Sequence, residues 1–292
     1  MNALQLKDWL FSRSTGFLLG LVMLVPLAIG LGLTIQSLPI IKNVGLGELV
    51  WGTNWSPMRG EFGFRAFIVG SLWVTVLSFL ISAPISLFSA LYITQYGSPR
   101  LLRMVHPVID ILAGLPSVVY GVWGILMVVP AVSFVGACLG IETSGYSVLA
   151  GALVLSVMTI PFVLHMLMEA FRNTPPELKE VALSLGASYW SAVKLVVRQA
   201  LPAVFSAYTL GLSKAFGETI AVLMVAGNLV QIPTNPFMAG YPLPALIANN
   251  YGEMMSIPSY SSAMMFGALL LLIIVMGFNA TARYIILKTS AK

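Results

Sequence analysis

The sequence contains one cysteine, Cys138, and only two histidines. A single cysteine excludes a disulfide within the chain and any zinc site built from several cysteines. Charged residues are also scarce, at 9% of the chain against about a quarter in soluble domains. The fifteen Lys and Arg residues lie scattered between apolar runs and form no basic stripe with interleaved aromatic residues. These absences exclude an ordinary water-soluble domain and argue against a nucleic-acid partner.

Catalytic motifs are missing as well. The chain has no G-x-x-x-x-G-K-[ST] phosphate loop, no H-E-x-x-H helix and no G-x-S-x-G nucleophile turn. His165 and Glu169 are spaced for one helix face, but two ligands are fewer than the roughly three or four that a zinc site needs. We therefore expect no enzyme activity, no metal and no cofactor in this chain. An intramembrane hydrolase is disfavoured because no nucleophile has a recognisable base.

Apolar residues dominate the sequence. They make up 58% of the chain, and the mean hydropathy is +0.93. The apolar runs are about twenty residues long, which fits helices that cross a membrane and not the roughly ten-residue alternating strands of a barrel. We therefore predict an all-α membrane protein. Its six transmembrane helices are predicted at residues 17–35, 66–92, 105–130, 148–168, 203–230 and 263–287.

Basic residues indicate the orientation. Eleven of the fifteen lie on the side of the two termini, whereas Lys42, Arg59 and Arg65 lie on the other side. Cytoplasmic loops carry an excess of Lys and Arg, so both termini are predicted to be cytoplasmic. We divide the chain into an N-terminal cytoplasmic tail, first helix and outer loop at 1–65, a core transmembrane domain at 66–287 and a cytoplasmic tail at 288–292.

The inner segment at about 172–202 has the pattern of a short helix outside the membrane. Residues 175–177 suit a first turn, in which prolines are tolerated and a carboxylate meets the positive end of the helix dipole. Thr174 or a neighbouring residue can cap this turn, and Gly186 can stop the helix. The expected apolar face consists of Leu178, Val181, Ala182 and Leu185. Spacing alone fits both a helix that docks into a partner's groove and one that lies on lipid headgroups.

The same segment resembles a known loop. Glu180-Val181-Ala182, followed by Gly186 and by Leu201-Pro202, is similar to the E-A-A, G and L-P pattern of bacterial ABC importer membrane subunits. This resemblance implies the type I permease fold and a loop that sits in a cleft of a separate ATP-hydrolysing subunit. The residues that it assigns to coupling with the ATPase are Glu177, Glu180, Val181, Ala182, Leu185 and Gly186.

Two further stretches are similar to the C-type, phosphate-specific permease subunits of this family. Residues 116–124 are P-S-V-V-Y-G-V-W-G, and residues 215–222 are A-F-G-E-T-I-A-V, with Gly227-Asn228 behind them. The resemblance implies a permease subunit of an ATP-driven importer of inorganic phosphate in the bacterial inner membrane. The implied partners are a homologous second permease, two copies of a cytoplasmic ATPase, an extracytoplasmic phosphate-binding protein and membrane lipid.

Lys214 and Glu218 are ionisable residues inside a predicted span, where a charge costs about 3 kcal/mol on insertion scales. Four residues apart, they are expected on one helix face and able to pair. The pair could be structural, or it could be a transport site in which Lys214 attracts an anion and Glu218 limits how tightly the anion binds. Ser117 and Asn228, from the two motifs, complete the expected translocation path or gate.

Other substrates and classes stay open at this point. Phosphate-specific subunits usually have arginine where Lys214 stands, and lysine is a point charge that lacks the paired donors of arginine. Molybdate or tungstate is therefore an alternative substrate. An ion-coupled secondary carrier or channel could also use an intramembrane Lys-Glu pair and would need no ATPase, although the loop at 172–202 argues against it.

Overall fold

The computed structural model of the chain describes residues 3–252 and 256–290. Its helices are α1 (Ala3–Val44), α2 (Leu46–Trp51), α3 (Arg65–Leu91), α4 (Pro99–Gly114), α5 (Ser117–Trp123), α6 (Val129–Cys138), α7 (Val148–Arg172), α8 (Pro176–Ser184), α9 (Tyr189–Gly217), α10 (Ile220–Leu223), α11 (Leu243–Asn250) and α12 (Pro258–Ser290). Two antiparallel strands, β1 (Trp55–Ser56) and β2 (Glu61–Phe62), are joined by a 3-10 turn at Pro57–Arg59. Single π-helical turns at Tyr92–Tyr96 and Gly124–Val128 continue α3 and α5.

Six helical segments among the described residues are long and apolar enough to cross a membrane. They are Lys7–Val44, Arg65–Tyr96, Ser117–Cys138, Val148–Arg172, Tyr189–Gly217 and Pro258–Thr281. The predicted all-α fold with six transmembrane helices is therefore confirmed, and the chain is a multi-pass membrane protein. The cytoplasmic position of both termini stays a prediction. Part of the predicted tail at 288–292, namely residues 291 and 292, lies outside the described residues.

The third span begins later than the sequence indicated. The prediction placed it at 105–130, but α4 is a separate helix and the span starts at Ser117. Leu115 precedes Pro116, and a residue before proline is disfavoured in the helical region because the proline ring crowds it. The backbone of Leu115 is accordingly extended, with ψ at 135°. The chain breaks at this point, and α5 starts a new helix.

The prediction of the fifth span at 203–230 was wrong at both ends. Ser188 caps the start of α9, and its hydroxyl accepts a hydrogen bond from the Ser191 amide at 3.2 Å. The helix therefore begins well before residue 203, in a part of the sequence too polar for an apolar window. At its other end α9 stops at Gly217, because Glu218 has an extended backbone with φ at −70° and ψ at 130°.

The centre of the molecule is the pair α3 and α7, which share the most extensive helix contact. Small and polar residues let the two helices approach: Gly151 faces Val74, and Ser86 donates to the Ile160 carbonyl at 3.3 Å. Helix α9 packs on α7 and α12, whereas α1 packs mainly along α12. The core thus surrounds α3 and α7, and α1 lies at the periphery.

The two ends of this core differ in composition. At the end that carries the β-sheet, Trp55 packs edge-on against Phe64 at 5.2 Å and Phe67 at 4.9 Å between ring centroids. We call this the sheet end. The opposite end, where α8 lies, we call the loop end; it is closed by Phe171 and Val196 among mainly aliphatic neighbours.

Candidate functional site

A short helix, α8, stands between α7 and α9 at the loop end. Pro175 is its N-cap and Pro176 its first residue. The fixed φ of proline suits the first turn, in which Glu177 also lies. Gly186 follows the helix with φ at +80°, a left-handed conformation that favours glycine. The predicted helix and its glycine stop are confirmed. Of the predicted cap positions, the structure uses the neighbouring Pro175 and not Thr174, whose hydroxyl donates to the Ala170 carbonyl at 3.3 Å.

The side chains of α8 and its C-cap are open to a partner. None of the helix's own residues is buried. Val181 is 57% exposed and Leu185 is 83% exposed, while Leu178 and Ala182 are partly buried, so the four residues predicted to share one apolar face divide into two pairs. The remaining residues assigned to ATPase coupling are also exposed: Glu177, Glu180 and Gly186. Exposed apolar side chains on a short helix beyond the spans are typical of a docking surface.

Lys179, which the sequence did not single out, connects α8 with two other elements. Its ammonium group donates to the Tyr189 hydroxyl at 2.8 Å and to Gln95 Oε1 at 3.3 Å. The Tyr189 hydroxyl in turn donates to the backbone carbonyl of Gln95. Gln95 is 84 residues away from Lys179 along the chain, so no local pattern could have indicated this contact.

Lys214 lies in the last turn of α9 and is partly buried. Its ammonium group is 4.5 Å from the centroid of the Phe162 ring on α7, where the negative face of the ring attracts a cation. Two ion pairs within 4 Å occur among the described residues, and neither includes Lys214. This intramembrane cation is therefore held by a ring and not neutralised by a carboxylate.

Glu218 does not share a helix face with Lys214, contrary to the prediction. It is the first residue beyond α9, and neither ion pair of the described residues includes its carboxylate. Instead it lines a small cavity together with Ser71 and Thr75 of α3. A spacing of four residues implies a shared face only while the helix continues, and this helix ends at Gly217.

The two motif stretches at 116–124 and 215–222 meet in the structure. Helix α5, which begins with Ser117, packs against the single turn α10 that follows the break at the end of α9. The approach is close at Gly121, where a Cβ would lie 2.5 Å from Met224 Sδ. The motif glycine thus leaves room for the Met224 side chain, and Ser117 belongs to the helix that packs on the far side of the break.

Asn228 holds the turn that follows α10. Its φ is 51°, a left-handed value that asparagine tolerates better than most residues. The side-chain amide donates to the Leu223 carbonyl at 2.8 Å, and the backbone amide donates to the Gly240 carbonyl at 3.1 Å. Its Oδ1 is buried without a hydrogen-bond partner among the described residues. Asn228 therefore shapes the turn and retains one acceptor.

His165 and Glu169 both lie on α7 but have different partners. His165 Nδ1 is 3.8 Å from Asp110 Oδ1 of α4, and Glu169 Oε1 is 3.8 Å from Arg172 Nη1. Arg172 also lies 3.1 Å from His106 Nε2, a partner that the sequence did not indicate. Within the described part of the chain, no group of three or more His, Cys, Asp and Glu residues could hold a metal ion. These residues join α4 to α7.

A sequence profile of the family described as "Binding-protein-dependent transport system inner membrane component" matches residues 82–289. The chain belongs to this family. The matched part contains α8, the break after α9 and both motif stretches, so every site residue predicted from the sequence lies within it. As a member of this family the chain is a transport component.

Several curated proteins are similar to this binding-protein-dependent transport component. The "Probable ABC transporter permease protein YqgH" of Bacillus subtilis is 36% identical over 217 residues, which cover 73% of this chain and 69% of that protein. The "Phosphate transport system permease protein PstC" of Xylella fastidiosa is 32% identical over 263 residues, covering 83% and 79%. The "Probable phosphate transport system permease protein PstC" of Methanocaldococcus jannaschii is 30% identical over 255 residues, covering 82% and 81%.

Solved structures share the fold of this family member. A chain of the MetNI methionine ABC transporter in an inward-facing conformation is 23% identical, with a TM-score of 0.56, and covers 81% of this chain and 99% of its own. A second crystal form gives a TM-score of 0.55 at 22% identity. The predicted type I ABC importer permease fold is therefore confirmed; at this identity the likeness concerns the fold alone.

Proposed function

We propose that the chain is the membrane-spanning permease subunit of an ATP-driven importer that moves inorganic phosphate across the bacterial inner membrane into the cytoplasm. The observation that supports an anionic substrate is the environment of Lys214. Its intramembrane ammonium group lies 4.5 Å from the Phe162 ring and belongs to neither ion pair of the described residues. An uncompensated charge within a span marks a transport pathway by default, and its sign selects anions. Similarity to proteins named phosphate transport system permeases supports phosphate among the oxyanions.

The proposed partners follow from what this chain has and lacks. It contains no phosphate loop, so ATP hydrolysis belongs to a separate cytoplasmic subunit, of which two copies would serve two permeases. The exposed coupling residues of α8 and its glycine stop would dock on that ATPase: Glu177, Glu180, Val181, Ala182, Leu185 and Gly186. A homologous second permease of different sequence completes the membrane part, and a phosphate-binding protein delivers substrate from outside.

The proposed path runs past the break after α9. Lys214 would attract the oxyanion on one side of the break, while Glu218, Ser117 and Asn228 lie on the other side or on the helix packed against it. A carboxylate so near the path would repel a second anion and keep binding weak enough for release. Because α9 ends at Gly217, the two sides can move separately when α8 is displaced.

The deciding experiment measures ATP-dependent uptake of radioactive inorganic phosphate by vesicles that contain the purified assembly. Lys214→Met keeps the length of the side chain and removes its charge, and we expect uptake to fall about tenfold or more with the assembly intact. Lys194→Met, an exposed lysine on the same helix, is the matched control and should transport normally.

Competition identifies the oxyanion in the same assay. Unlabelled phosphate should abolish uptake, whereas molybdate and tungstate at the same concentration should leave it unchanged. Normal uptake by Lys214→Met would show that Lys214 is not part of the transport path. Stronger competition by molybdate or tungstate than by phosphate would show that the substrate is one of those oxyanions and not phosphate. Uptake that persists without the ATPase would instead indicate a secondary carrier.

A further inference from the structure

We propose that Lys179 is a positioning residue that fastens α8 to the end of α3, so that a displacement of α8 is passed to the α3 and α7 pair. This inference rests on the proposed function, because it concerns how ATP hydrolysis elsewhere moves this chain. It adds a residue outside the set that would contact the ATPase, and it assigns that residue a role inside the permease.

Burial does not hold α8 in place. None of the residues of α8 is buried, and only Leu178, Lys179 and Ala182 are partly buried, where the helix contacts the neighbouring helix α9. A helix without a fully buried face has few core contacts to fix its angle to the spans. Its position therefore depends in part on polar contacts, and Lys179 makes two of them.

The contacts of Lys179 join three separate elements at one point. The ammonium group donates to Tyr189 at the start of α9 and to the side chain of Gln95 beyond the end of α3. It also lies 4.4 Å from the centroid of the Tyr189 ring. Since the Tyr189 hydroxyl donates to the Gln95 carbonyl while accepting from Lys179, the three residues form a closed triangle.

Gln95 belongs to the π-helical turn Tyr92–Tyr96, which extends α3 at the loop end. Such turns are rare and occur mostly within longer helices, frequently at functional sites. The Tyr96 ring of this turn also packs on the Tyr189 ring at 5.1 Å between centroids, so a second contact joins the turn to the start of α9. Ile93 of the same turn is buried in the cluster that contains Phe171. Because this turn continues α3, a displacement of Gln95 would displace the end of α3.

The triangle adds a path that the chain itself does not provide. The backbone connects α8 directly to α7 and α9, so these two helices follow α8 through covalent bonds. Helix α3 has no such connection, yet it forms the largest helix contact of the molecule with α7. Through Lys179, α3 would also move with α8. Helices α3 and α7 would then shift together instead of sliding past each other.

The plain alternative is that these bonds only stabilise the fold. The two roles differ in the ratio of ATP hydrolysed to phosphate imported by the intact assembly in vesicles. A positioning role predicts that Lys179→Met keeps ATP hydrolysis close to wild type and lowers import at least about fivefold, so the ratio rises by that factor. Lys179→Arg, which retains charge and donors, should recover part of the import.

Tyr189→Phe is a milder second variant that guards against misfolding. It removes the hydroxyl that links Lys179 to Gln95 and keeps the ring that packs on Tyr96, so the ratio should rise in the same direction. Lys194→Met, which alters an exposed lysine of α9 outside the triangle, should leave the ratio unchanged.

Two results would overturn the inference. One is an unchanged ratio in both Lys179→Met and Tyr189→Phe; the other is a parallel loss of hydrolysis and import together with dissociation of the ATPase, which would mean a structural role. Wild-type uptake is the separate test of the proposed function. If the wild type imports another oxyanion, the same ratio is measured with that oxyanion, and the test of Lys179 stands.

Discussion

The sheet end and the loop end of this protein are held together by different interactions. At the sheet end Phe62, Phe64 and Phe67 are buried, and each ring packs edge to face against Trp55. At the loop end α8 has no buried residue and is held by hydrogen bonds to partly exposed side chains. Buried aromatic packing contributes several kcal/mol and tolerates little movement, whereas exposed polar contacts contribute about 1 kcal/mol each and can rearrange. We therefore expect α8 to move more readily than the aromatic cluster at the sheet end.

The largest effect should come from removing an aromatic ring at the sheet end. Phe67→Ala is expected to destabilise the protein by about 3–5 kcal/mol, because the transfer energy of the ring is lost and a cavity remains. Thermal unfolding of the detergent-solubilised chain measures this. Phe88→Ala, on the same helix but 68% exposed, is the control and should change stability little. Equal losses in both variants would mean that the sheet end is not specially packed.

A tight turn at the sheet end should be nearly as sensitive. Gly145 has φ at +87°, and a Cβ there would lie 2.2 Å from the Val129 carbonyl oxygen. Gly145→Ala should therefore destabilise by about 3 kcal/mol, combining backbone strain with the clash. Gly140 has a comparable φ of +70°, but a Cβ there would meet no atom within 4 Å. Gly140→Ala should therefore show the cost of the backbone strain without a clash. A Gly145→Ala protein no less stable than Gly140→Ala would contradict the close approach.

At the loop end the expected effect moves from stability to association. Leu185→Ala should leave thermal unfolding unchanged and weaken binding of the ATPase about tenfold, because an exposed apolar side chain contributes only once a partner covers it. Copurification of the two subunits over a range of concentrations measures the affinity. Leu139→Ala, which alters an exposed leucine at the sheet end, is the control. If Leu185→Ala lowered the unfolding temperature and left ATPase binding unchanged, Leu185 would stabilise the fold and would not be a docking residue.

The smallest effect concerns the start of α9. Ser188→Ala removes a cap whose hydroxyl accepts from the Ser191 amide at 3.2 Å, and about 1 kcal/mol of stability should be lost. Ser184→Ala removes a hydroxyl that bonds only within its own helix, to the Glu180 carbonyl, and should change stability by less than about 0.5 kcal/mol. Unfolding in detergent separates the two. A larger loss in Ser184→Ala would show that α8 contributes more to the fold than its exposure indicates.

Much of the architecture was accessible from the sequence. Runs of about twenty apolar residues require helices in a membrane, so the number of spans and the helical class followed from composition alone. The short helix before Gly186 was also predictable, because prolines, carboxylates and a glycine mark helix ends by local chemistry. The boundaries near Pro116 and Gly217 were not predicted, since a hydropathy window averages over a local break in a helix.

By itself the sequence determined the membrane class, the six spans, the short exposed helix and the residue types of the candidate site, because each depends on hydrophobicity or on chemistry within a few neighbouring residues. Only the tertiary structure decided that Lys214 faces the Phe162 ring and not Glu218, and that Lys179 reaches Gln95. Those contacts join helices distant in the chain, and their geometry depends on how the helices pack and where each one ends.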